Sequence, residues 1–443
     1  MKSISTVTIV GANGTMGRNI AAIFASFGNA NVYLVSRSLE KSNKAKESAY
    51  QSVRAESVKC RMIPADYNQL EECVAKSDLI FEACAENWSV KENTHRMISG
   101  VLKNLPIDSA TSKVICSGTS GLSITSLAEL YDEPLRSHVF GMHFFNPPYQ
   151  MTLCELTPTV YTNRELFKEI HNYTEKVLLR TTVEVKDSPA FLGNRIGFQF
   201  INEAMQLAEK YKYNGGIDYI DAILGPFTGR AMAPLVTANF VGLDVHKAIV
   251  DNLYENTHDF SHDSFILPNY VENLVNDGKL GRKAGAGLYK TVMHDSGAKI
   301  HQVYDIENGY YREMMKYTFP FVEQMVALLQ MGDYERAFRV LERNHSVEAE
   351  LCLCELLRYV LYSLSATEDV GYDIHSADDV MAAGFNWCPP LAMIEALGGK
   401  EHFKDLCKER ISDNWLSVVT QDHLLNRVEK SNYDFRRFVK AKW

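Results

Sequence analysis

A chain of 443 residues, 46% hydrophobic and 23% charged, can bury a large core in two or three domains. Its formal net charge of -9 excludes the basic surface that non-specific nucleic-acid binding needs, and no apolar run is long enough to cross a bilayer. Nine scattered cysteines, an odd number without a CxxC spacing, fit free thiols better than a disulfide framework; with no leader-like N-terminus, they predict a cytoplasmic protein.

Short apolar, often β-branched segments at 7–10, 32–35, 79–82, 114–117 and 139–143 read as strands. Helical patterns lie between most of them, for example 14–27 and 94–102. The alternation predicts an α/β, Rossmann-type N-terminal domain with a parallel sheet, over about residues 1–187. "GANGTMG", from Gly11 to Gly17, joins the first strand to the first helix. Gly11 would let the chain turn off the strand, Gly14 would admit a pyrophosphate at the helix N-terminus, and Gly17 would allow close strand–helix packing. Asn13, Thr15 and Met16 complete the candidate phosphate loop, whose spacing is GxxGxxG rather than GxGxxG.

The second strand ends in "VYLVSRS". An acidic residue there usually binds the adenosine ribose hydroxyls; here Ser36 and Arg37 follow instead. An arginine suits a 2′-phosphate, so NADP is favoured over NAD. Residues 36–78 leave room for one helix, roughly 40–58, and a strand at 60–63.

A turn-and-start signal at Asp187, Ser188 and Pro189 opens an all-α region. Two stretches of it repeat: Gly215 faces Gly371, Pro234 faces Pro390, Leu235 faces Leu391 and Gly242 faces Gly398. This predicts two copies of one helical module, at 188–295 and 296–443, each covering the other's apolar face. Such a chain is expected as a monomer, or as a homodimer through another surface. "GRKAGAGLYK" is basic and glycine-rich but opens no helix, so it reads as a domain-closing turn.

Five stretches, "FEACAENWSVK", "CSGTSGLSIT", "FGMHFFNPPYQMTLCEL", "FLGNRI" and "LGRKAGAGLYK", occur in order and closely resemble the L-3-hydroxyacyl-CoA dehydrogenases over about residues 7–290. The C-terminal copy resembles the second helical module of the longer forms. The resemblance implies NAD(P)-dependent interconversion of a 3-hydroxyacyl-CoA and a 3-oxoacyl-CoA, with His143 and Glu155 as a His–Glu dyad. The chemistry agrees: alcohol oxidation needs a base that titrates near neutrality, and a carboxylate can fix its tautomer. The resemblance further implies that Ser120 and Asn194 hydrogen-bond the substrate oxygen and that Glu86 and Lys91 contact the cofactor. Ser52 and Lys59 stand where the family contacts CoA, beside Lys41, Lys44, Lys46 and Arg54.

The segment after the second strand is short for the family's CoA-clamping helical hairpin, whose second helix is expected to be absent. Gly118 and Gly121 replace side chains usual around "TS". The second module offers Glu350 at the position of Asn194 and is expected to be structural. The "NPPY…EL" run also resembles dehydrogenases of free 3-hydroxy acids, such as the gulonate 3-dehydrogenase/λ-crystallin group. Alternatives are therefore a free 3-hydroxy acid as substrate, or a non-catalytic dinucleotide-binding protein. No metal is expected.

Overall fold

The computed structural model describes residues 3–294, 297, 299–411, 415, 417, 418 and 422–441. The chain divides into two compact units, 1–191 and 192–443.

The first unit is built on eight strands: β1 (Thr6–Val10), β2 (Asn31–Ser36), β3 (Met62–Asp66), β4 (Leu79–Glu82), β5 (Val114–Ser117), β6 (Val139–Phe144), β7 (Leu153–Thr157) and β8 (Thr181–Glu184). They form one sheet in the order β3-β2-β1-β4-β5-β6-β7-β8. All neighbours are parallel except β6 and β7, which run antiparallel. Successive side chains of a strand face opposite sides. Ile9, Leu34, Phe81 and Cys116 thus enter one core with Ile20, Ile23 and Phe24 of helix α1 (Thr15–Ser26). Val10, Val35, Ile80 and Ile115 enter the other, with Ile98 and Leu102. Burial on both faces explains why these strands read as continuous apolar runs.

Between β2 and β3 the structure departs from expectation. The predicted single helix is two: α2 (Leu39–Val53) and α3 (Glu56–Arg61). Arg54 breaks them apart with a left-handed φ of 53°. A short second helix therefore exists, six residues long. β3 begins two residues later than predicted and includes Pro64, which an edge strand tolerates because one side of it needs no donor.

The second unit is mainly helical, but the sequence reading missed a three-stranded antiparallel sheet: Tyr289–Met293, Lys299–Tyr304 and Tyr311–Glu313. "GRKAGAG" is a tight turn leading into it, with a bridge between Gly281 and Ala286. Helix Gly193–Lys210 packs on the longer helix Val347–Val370, with the ring of Phe200 5.8 Å from Tyr359 and 5.5 Å from Trp387. Arg230 is buried 3.8 Å over the Phe200 ring. Among the described residues no helix is long and apolar enough to cross a membrane.

Candidate active site

Ligands of open α/β sheets sit at the carboxyl ends of strands where the order reverses, here between β1 and β4. The glycine turn lies there. Gly11 has φ 88°, and a Cβ on it would stand 2.8 Å from Ala83 and from the Cys84 amide nitrogen in the loop after β4. A Cβ on Gly17 would stand 2.6 Å from the Gly11 carbonyl oxygen. These two glycines let the loop and the start of α1 close against the strands. α1 begins without a side-chain cap and without an acidic residue in its first turn. Its positive end therefore keeps donors for an anion. Asn13 and Thr15 are exposed there, while Met16 packs on the core.

At the end of β2 the Ser36 hydroxyl is engaged within the chain: it donates to the Ser38 carbonyl at 3.0 Å and pairs with Ser42 at 2.7 Å. Arg37 is exposed and makes no ion pair among the described residues. Register places Asp66 of β3 beside Ser36, a carboxylate the sequence reading did not weigh. It caps the following turn by accepting from the Asn68 amide at 2.9 Å.

The loops after β4 and β5 share one polar chain. Glu82 ends β4, fully buried. Its carboxylate accepts from Lys91 Nζ at 3.0 Å, Ser117 Oγ at 2.7 Å and the Cys84 amide at 2.6 Å. Burial alone would raise this carboxyl; His95, Lys91 and Ser117 outweigh it and bring it down to about 2. Burial likewise opposes the charge of Lys91, but Glu82 and Glu86 reverse the balance and hold the amine protonated. Glu86 lies 3.4 Å from Lys91 and accepts from the Thr119 hydroxyl and, at 2.9 Å, from the Ser120 amide. This chain leaves the Ser120 hydroxyl without a partner among the described residues, at the carboxyl end of β5. Glu82 and Thr119 were not singled out from sequence; the signal for Glu82 is an acid closing the apolar run "LIFE".

His143 on β6 faces Glu155 on β7, directly paired in the antiparallel register. Nδ1–H donates to Glu155 Oε2 at 2.8 Å. Both residues are buried, and the rings of Phe145 and Phe191 lie 4.6 and 5.6 Å from the imidazole. The carboxylate fixes the proton on Nδ1, so Nε2 carries the lone pair. Nε2 has no partner among the described residues, which leaves it to take a proton from a ligand.

Asn194 belongs to the second unit, at the second position of helix Gly193–Lys210, buried and with its amide unbonded among the described residues. Ser52 is exposed on α2 and bonds the Ser48 carbonyl. Lys59 on α3 is paired with Glu47 at 3.0 Å and lies over the Tyr50 ring. Lys44 is likewise paired with Glu40. No cluster of three or more His, Cys, Asp or Glu suited to a metal occurs among the described residues.

A doubly wound sheet with a glycine turn at its switch point defines a dinucleotide-binding fold. Residues 6–188 match the family model "3-hydroxyacyl-CoA dehydrogenase, NAD binding domain", and 191–291 match the same family's C-terminal domain. A probable 3-hydroxyacyl-CoA dehydrogenase of Bacillus subtilis is 29% identical over 77% of this chain but only 42% of its own length, so this chain spans less than half of that relative. The structure of (S)-3-hydroxybutyryl-CoA dehydrogenase from Ralstonia eutropha is 30% identical, with a TM-score of 0.56 over 64% of this chain and 98% of that one. The structure of 3-hydroxybutyryl-CoA dehydrogenase from Escherichia coli shares the fold over 95% of this chain and 98% of its own, with a TM-score of 0.68 at 20% identity. The chain belongs to the 3-hydroxyacyl-CoA dehydrogenase family.

Proposed function

We propose that the chain interconverts a 3-hydroxyacyl-CoA and the corresponding 3-oxoacyl-CoA, with NADP used in preference to NAD. The observation that carries this reading is the His143–Glu155 pair, whose imidazole Nε2 has no partner among the described residues. A dinucleotide fits the residues present: side chains at Gly11 and Gly17 would collide with the loop backbone, and the α1 terminus offers uncapped donors. Gly11, Asn13, Gly14, Thr15, Met16 and Gly17 would hold its phosphates, with Ser36 and Arg37 at the adenosine end and Glu86 and Lys91 toward the nicotinamide. The bound nicotinamide supplies or accepts the hydride. His143 Nε2 takes the hydroxyl proton in oxidation and returns it in reduction, while Glu155 stabilises the imidazolium. Ser120 and Asn194 donate hydrogen bonds to the substrate oxygen as it gains negative charge. Arg37, exposed at the end of β2 and without an ion pair among the described residues, supports the preference for NADP.

The domain division proposed is 1–187, 188–295 and 296–443, with the second module standing in for a partner subunit, so that the chain is a monomer, or a homodimer through another face. A cytoplasmic location is supported by nine free cysteines, six of them buried. One observation favours a second reading, a free 3-hydroxy acid as substrate: Lys59 and Ser52, the residues matching CoA contacts, are already engaged by Glu47 and Ser48.

Purified protein assayed with acetoacetyl-CoA and each reduced dinucleotide separates these readings. Turnover with the acyl-CoA, faster with NADPH, is expected; turnover of free 3-hydroxy acids alone would establish the second reading. His143→Ala is expected to lower kcat by about 10²- to 10⁴-fold with the fold retained by circular dichroism. Full activity in that variant refutes the mechanism.

A further inference from the structure

The second module holds none of the proposed catalytic groups, yet it grips the helix that carries Asn194. Helix Gly193–Lys210 starts after Leu192, which offers no capping side chain, and has no acidic residue in its first turn. Arg195, the residue after Asn194 and itself buried, ties that turn to three side chains. Its Nε donates to the Tyr362 hydroxyl at 3.1 Å, one terminal nitrogen to Asp369 at 2.7 Å and the other to Asp259 at 2.9 Å. The Tyr362 hydroxyl in turn donates to Asp259 at 3.0 Å. Asp259 follows helix Leu243–Asn256 of the first module; Tyr362 and Asp369 lie on helix Val347–Val370 of the second. Arginine's planar fork can hold three partners in fixed directions, which a single point charge cannot.

A second contact reaches the same turn. A Cβ on Gly197 would collide with the Phe385 ring, so the bare glycine leaves room for that ring of the second module against this turn. On a helix of 3.6 residues per turn, Arg195 lies about 100° to one side of Asn194 and Gly197 about 60° to the other. Two contacts from the second module therefore flank the position of Asn194, whose own amide has no hydrogen bond among the described residues to orient it.

We infer that the second module is a positioning device for Asn194, acting through Arg195 with Tyr362 and Asp369 as its anchors. This rests on the proposed role of Asn194. A donor must be aimed where charge develops, and a small misplacement of a positioning element lowers the rate steeply without unfolding the protein. Arg195, Tyr362 and Asp369 are positioning residues, acting through Asn194.

The test is a double-mutant cycle on the full chain, read by steady-state kinetics with acetoacetyl-CoA and reduced dinucleotide. Tyr362→Phe removes one hydroxyl. Asp369→Asn alters a side chain that is 64% exposed, so it carries the test if the tyrosine variant misfolds. Each is expected to lower kcat by about 10-fold or more while the KM for the dinucleotide stays unchanged. In an Asn194→Ala background each is expected to cause no further loss, because the donor to be positioned is gone. Wild-type kcat in both single variants, or the same fold-loss repeated in the Asn194→Ala background, overturns the inference. If Asn194→Ala itself keeps full kcat, the proposed role of Asn194 falls, and the inference with it; this outcome is read from the single variant alone.

Discussion

The two halves of the helical unit use the same devices for different ends. In the first, Pro234 opens helix Pro234–Val241, and the buried carboxylate of Asp221 accepts from the Leu235 amide at 2.8 Å. In the second, Pro390 opens helix Pro390–Ala396, and the buried Asp378 accepts from the Leu391 amide at 2.8 Å. Gly242 and Gly398 follow these helices with φ of 114° and 85°. The difference lies at the start of the long helix. Where the first copy has Asn194, buried with its amide unbonded among the described residues, the second has Glu350, held by Arg410 and, at 2.9 Å, His345. Caps, turns and packing are repeated, while the unpaired amide is not. The same helical module can thus carry an unbonded amide in one copy and an ion pair in the other at this position.

That contrast breaks most directly at the two matched positions. Asn194→Ala is expected to lower kcat by about 10²-fold, the loss typical of one donor to a developing oxyanion. Glu350→Ala is expected to leave kcat within about twofold, because Glu350 is bonded only to Arg410 and His345 of the same module, neither of them a proposed catalytic group. Equal losses in the two variants would show that the copies are functionally alike and would remove the distinction. The matched caps sharpen the comparison from the other side. Asp221→Ala and Asp378→Ala each leave a buried amide hydrogen without its acceptor, at a cost of about 1–3 kcal/mol. For a unit of this size that is a fall in Tm of about 2–4 °C per kcal/mol in a thermal melt, with kcat per folded molecule retained. A cap that matters in only one copy would argue against a structural repeat.

The repeat was legible because proline and glycine punctuate both copies at matching offsets. The strands of the nucleotide-binding sheet were legible because burial on both faces makes them apolar throughout. β7 was not read as a strand, although Glu155 was picked as the partner of His143; the antiparallel turn that pairs them leaves no local periodic signal. The small sheet at Tyr289–Glu313 went unread because its strands are half exposed and mix polar with apolar residues. Arg195 ties together residues 64, 167 and 174 positions away, and nothing in local spacing announces such a cluster. Arg54 looked like any helical residue, since a left-handed φ at arginine is a property of the packed chain.

Where the two copies meet, charge gives the smallest but cleanest handle. Glu203 of the first copy is bonded by Arg358 of the second, while Glu355, one turn before Arg358, is buried 4.0 Å from that guanidinium with one carboxylate oxygen unbonded. Burial, with the charge of Glu203 beside it, pushes Glu355 up to about 8, against the pull of Arg358 and Arg230. The unfolded chain releases this proton near the ordinary value of 4.5. Between those two values the folded protein holds a proton that the unfolded chain has lost, so this group's stabilisation is complete at low pH and is lost as the pH rises toward about 8. Glu355→Gln keeps the neutral form at every pH. The variant is expected to match the wild type near pH 4.5 and to melt at a higher temperature above about pH 8, the difference growing through the interval. Parallel melting curves across that range would mean that the two copies meet without a proton held between them.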